Sequence, residues 1–90
     1  MQLSDKPVQN RLDTAARRID DAVFIVQPEA RELHQLREVA ARIWELSDGE
    51  HTVVEIVDVI CDEYEVDQGA AQSDALEFLS SLLEKDLIRL

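Results

Sequence analysis

The stretch Arg31-Glu32-Leu33-His34-Gln35-Leu36-Arg37-Glu38-Val39-Ala40-Ala41-Arg42-Ile43-Trp44-Glu45-Leu46-Ser47-Asp48-Gly49 decides the architecture, because the period of the chain changes inside it. Residues 31–36 form a short polar strand, and charged side chains on a strand keep a sheet edge from pairing with the wrong chain. From Arg37 onward Val39, Ala40, Ile43, Trp44 and Leu46 fall on one side of a helical wheel, with Arg37, Glu38, Arg42 and Glu45 mostly on the other. Asp48-Gly49 ends that helix with a residue suited to a left-handed cap. An edge strand that runs directly into an amphipathic helix is the hinge of the fold.

Upstream, Ala16–Ile19 and Ala22–Gln27 read as two strands around Asp20-Asp21, a two-residue break suited to a tight hairpin. Ala22-Val23-Phe24-Ile25-Val26 is apolar at every position, which predicts a strand covered on both faces. Pro28 stops it, since proline has no N–H for the ladder. Residues 1–13 carry Pro7 and no periodicity, so they read as a flexible N-terminal arm, with the domain itself spanning 14–90.

Downstream, Thr52-Val53-Val54-Glu55 fits a capping box. The helix it opens runs to about Tyr64, with Val53, Ile56, Val57, Ile60, Cys61 and Tyr64 as its buried stripe. Asp67 caps a third helix reaching about Asp86. Its apolar arc is wide: Leu76, Leu79, Leu83 and Leu87 on one flank, Ala75, Phe78 and Leu82 on the other. One contact surface needs an arc of about 100°, so this helix has two neighbours, either both core or one core and one ligand groove. Ile88-Arg89-Leu90 reads as a short terminal strand. The fold class is α+β and winged-helix-like: a three-stranded antiparallel sheet followed by a three-helix bundle.

Charge and composition exclude several functions. The 90 residues carry a formal charge of −11. Residues 1–42 hold seven bases and seven acids, whereas residues 43–90 hold thirteen acids against only Lys85 and Arg89. Nucleic-acid affinity comes from cations that release counterions from phosphates, so this half repels a duplex. The longest apolar run is five residues, far short of the roughly 20 that cross a bilayer. One cysteine, Cys61, and no apolar signal core near the N-terminus point to the cytosol.

No catalytic set emerges. The serines lie in no nucleophile-elbow pattern, and two glycines cannot build a phosphate loop. His34 with Glu38 and His51 with Glu55 have i, i+4 spacing, but each histidine precedes its helix and zinc needs three or four ligands. No catalytic residue, metal site or cofactor is assigned. An acyl carrier protein needs Asp-Ser-Leu at a helix start, and here the order is Ser73-Asp74-Ala75-Leu76.

The residues do resemble a known family. The run Val39 to Val57, with its Ile43-Trp44-Glu45-Leu46-Ser47-Asp48-Gly49 and Thr52-Val53-Val54-Glu55-Ile56-Val57 strings, then Tyr64-Glu65-Val66-Asp67 and Leu76-Glu77-Phe78-Leu79 to Leu87-Ile88, looks like the PqqD family. Its members are small proteins of pyrroloquinoline quinone biosynthesis and their relatives, recognition elements for ribosomally made, modified peptides. The similarity covers Arg17 to Ile88. It departs at Asp86, where members often have glycine, and at Arg37, where Leu36-Arg37 replaces a frequent Leu-Asn.

The resemblance implies a non-catalytic peptide chaperone. A precursor's leader segment would add as an extra strand to the third strand, lie in a groove against the third helix, and be presented to a modifying enzyme, often a radical SAM protein. The implied contacts are Arg31, Glu32, Leu33, His34, Gln35 and Leu36 on the edge, with Asp74, Ala75, Phe78 and Leu82 on the helix. Strand addition draws affinity from backbone bonds and specificity from side-chain pockets. The alternative is a winged-helix protein-interaction domain that binds no leader. A homodimer stays open, because an edge strand can also pair with its own copy.

Overall fold

In the computed structural model, which describes residues 1–90, the change of period at Arg37 is where sheet becomes helix. The elements are β1 (Val8–Gln9), β2 (Ala15–Ile19), β3 (Ala22–Gln27), β4 (Glu32–Arg37), α1 (Glu38–Leu46), α2 (Val53–Tyr64), α3 (Gln68–Glu84) and β5 (Ile88–Arg89). Strands β2, β3 and β4 form an antiparallel sheet in that order, so β3 is central and β2 and β4 are its edges. Ile19 pairs with Ala22, leaving Asp20 and Asp21 as the hairpin loop, and Asp20 takes the left-handed φ of 57° that the tight reversal requires.

Helices α1, α2 and α3 cover one face of this sheet. Val23, Ile25 and Leu36 join Ile43, Trp44, Ile56, Ile60, Leu79, Leu82 and Leu87 in a single buried cluster. The other face of β3 is only partly covered. On it Val26 is 42% exposed, while Phe24 is partly buried outside that cluster and Ala22 is buried, which corrects the expectation of a strand buried throughout on both sides.

The N-terminal segment is no loose arm. Strand β1 pairs with β5, and Pro7 and Asn10 are buried. Its carbonyls complete the start of α2: the Val53 and Val54 N–H groups donate to Asp5 and Leu3 oxygens at 2.9 and 3.1 Å. Thr52 Oγ1 accepts from the Glu55 N–H, while Glu55 in return accepts from the Thr52 N–H, which is the expected capping box. The first N–H groups of α2, which no helix can satisfy internally, therefore all find partners. Sequence reading missed this role because it resides in backbone oxygens, which any residue supplies.

Two helix faces also differ from expectation. Tyr64 is 38% exposed at the end of α2, and Leu83 is 36% exposed on α3. Helix α3 stops at Glu84, before Asp86, whose φ of 59° is the conformation glycine adopts freely and aspartate tolerates.

Candidate functional site

Strand β4 bonds to β3 only, so one side of its backbone has no partner in the chain. In an antiparallel pair alternate residues turn their N–H and C=O toward the neighbour, and those of the remaining residues stay free. The strand is shifted by one from the expected span. Arg31 lies in the turn with φ 54°, its N–H donating to the Pro28 oxygen, and Arg37, paired with Ala22, is the last strand residue. The sequence placed Arg31 in the strand because its charge suited an edge, but a left-handed residue cannot continue a ladder.

Side chains alternate across β4. His34 and Leu36 sit opposite the buried Ile25 and Val23 and so turn toward the helices, whereas Leu33 and Gln35 turn away. His34 Nε2 lies 2.9 Å from Gln27 Oε1 and 3.3 Å from Glu32 Oε2. Gln27 Nε2 in turn donates to the Lys85 oxygen at 2.7 Å, tying the start of β4 to the C-terminal end of α3.

Beyond the other end of β4 an apolar groove of about 370 Å³ opens between the helices. Val39, Ala40 and Ile43 of α1 form one wall, and Ala70, Ala71, Asp74, Ala75 and Phe78 of α3 form the other. Ile60 and Val66 close it, leaving Asp74 as the one polar residue of the lining. The groove exists because α3 begins with small side chains. Ala70, Ala71 and Ala75 cannot fill the space that a leucine would occupy.

The expected helix residues divide accordingly. Asp74, Ala75 and Phe78 line the groove, while Leu82, 3% exposed, is part of the core and not of the groove's lining. Phe78 does both jobs, lining the groove and packing on the core cluster. Val39, Ala40, Ile43, Val66 and Ala70 were not expected there. The signal for the first three was the breadth of the α1 stripe, which the sequence showed only as one apolar side of the helix.

Charge around the site is negative. Asp74 and Glu77 are exposed and take part in no ion pair or side-chain hydrogen bond, whereas Glu63 is held by Arg42 through two nitrogens at 2.9 Å and Glu45 by Arg18 at 2.9 Å. The Glu63 hydrogen bond raises the pKa of the Arg42 guanidinium further. No three His, Cys, Asp or Glu side chains converge, and every buried side-chain nitrogen and oxygen has a partner. The arrangement offers a free backbone edge, an apolar trough whose α1 wall follows that strand directly in the chain, and an acid in the trough's lining.

Comparison with known proteins agrees with that geometry. The family model described as coenzyme PQQ synthesis protein D (PqqD) matches residues 22–88. Two solved structures superpose with a TM-score of 0.82. One, TbiB1 in complex with the TbiA(beta) leader peptide, is 32% identical, over 91% of this chain and 94% of that one. The other, lasso peptide synthetase B1 complexed with the leader peptide, is 20% identical over 94% and 99%, a likeness of fold. No curated protein sequence matches the chain.

Proposed function

Because the chain belongs to the PqqD family, we propose that it binds the leader segment of a ribosomally made precursor peptide and presents it, in the cytosol, to a peptide-modifying enzyme such as a radical SAM protein. It does no chemistry itself. The observation that carries this reading is the unpartnered edge of β4, followed directly in the chain by the α1 wall of the apolar groove between α1 and α3. A leader in extended form takes its hydrogen bonds from β4 and sets an apolar side chain against Phe78, Ala75 and Val39. The unpaired carboxylate of Asp74 favours a lysine or arginine near that anchor. TbiB1, which shares the fold and about a third of the sequence, is a leader-peptide complex.

Proline distinguishes strand addition from other modes. Of the neighbouring N–H groups of Leu33 and His34, one faces β3 and the other faces outward. Proline at the outward position removes a donor to the incoming peptide and leaves the β3 ladder intact. Leu33→Pro and His34→Pro are compared for melting temperature and for affinity toward a precursor leader peptide that the wild-type chain binds. One variant is expected to stay folded and lose leader binding, and the other to lose stability. Unchanged leader affinity in the variant that stays folded contradicts strand addition.

A further inference from the structure

We infer that the outer face of the sheet, opposite the helices, is the surface on which the peptide-modifying enzyme docks, and that the enzyme meets it with an apolar strip flanked by carboxylates. This rests on the leader-binding reading above. Strand β3 carries apolar residues on both faces, yet the helices cover only one. The register sets Phe24 between Arg17 and Gln35, and Val26 between Ala15 and Leu33. Val26, Ile19 and Leu33 are 42%, 51% and 65% exposed. A solvated sheet face is normally polar, and a contiguous apolar one marks a contact surface.

The charges say what kind of partner fits. Arg17 and Arg37 point out of this face and neither forms an ion pair. No outward position of the three strands is acidic, although the chain carries 20 acids. A second copy meeting the same patch face to face would bring arginines together with no acid on either face to pair them. A complementary surface is therefore acidic and belongs to another protein. The face is also continuous with the peptide site. A strand added to β4 lengthens it, with every second leader side chain emerging beside Leu33 and Gln35. The docked enzyme thus touches recognition protein and leader together, so an unloaded protein presents an incomplete surface.

The test uses the full chain, a precursor leader peptide and the peptide-modifying enzyme that acts on that precursor. Arg17→Glu and the double variant Ile19→Ser/Val26→Ser lie on β2 and β3, away from the edge where the leader joins. Both are expected to keep the wild-type melting temperature and leader affinity while binding the enzyme at least tenfold more weakly. The Arg17→Glu defect should shrink as salt rises. Wild-type enzyme affinity in both variants overturns the inference. So does a wild-type dimer, seen by sedimentation, that the double variant dissolves, since a second copy then covers the face. If the wild-type protein binds enzyme through this face but no leader, the docking surface stands and the leader-binding reading falls.

Discussion

Phe78 joins the two functions of its helix, since its ring lines the groove and also packs on the core. Removing it should therefore show in both measurements. Phe78→Ala is expected to weaken leader binding by about 2 kcal/mol, the scale of an interface anchor. Its stability cost should fall below the roughly 3–5 kcal/mol of a fully buried phenylalanine, because one side of the ring already faces solvent. Leader titration and thermal melting of the one variant read both quantities, and unchanged affinity would remove Phe78 from the site. Asp48 is a residue of another kind. The Glu50 N–H and, next, the His51 side chain hold its carboxyl down to about 2. A depressed carboxyl stabilises fully above its unfolded value near 3.9 and loses that contribution as pH falls through the folded value. Melting temperature should accordingly drop more steeply between pH 4 and pH 2 in the wild type than in Asp48→Asn. Parallel curves would mean that the turn does not depend on this charge. Its carboxylate is a third exposed, so the contribution is modest.

At the scale of elements, β1 and the residues before it behave as part of the domain. They supply the β5 pairing, the buried Pro7 and the acceptors for the first turn of α2. Deleting residues 1–9 should lower stability by about 2 kcal/mol or more, the scale of one or two buried apolar side chains. A truncated chain that melts with the full-length one would show the segment to be dispensable. Legibility differed between elements for physical reasons. The hairpin, the three helices and the Thr52 capping box follow from periodicity and side-chain chemistry, and all are present. The docked N-terminus was illegible because its bonds use backbone atoms. The boundary of β4 slipped by one residue because Arg31 adopts a left-handed turn that no side-chain pattern announces. Of the groove, Phe78 and Ala75 lie on the flank that the wide α3 arc set apart, whereas Leu82 of that flank is core and Asp74 is no part of an apolar arc. The other wall needed the knowledge that alanines leave α1 and α3 apart.

Across the whole molecule, the sheet half is electrically balanced and the helical half carries the entire negative excess. The proposed peptide site lies where the two meet, with the free edge of β4 on one side and Asp74 on the other. The central claim is that a leader becomes the next strand of this sheet. Amide hydrogen exchange of the full chain, with and without the precursor leader, tests it most directly. The account predicts new protection at alternate amides of Glu32–Arg37, the ones that face outward, with little change along β2. Protection confined to β2 or to the helices, with the β4 amides exchanging as fast as in the free protein, would contradict it.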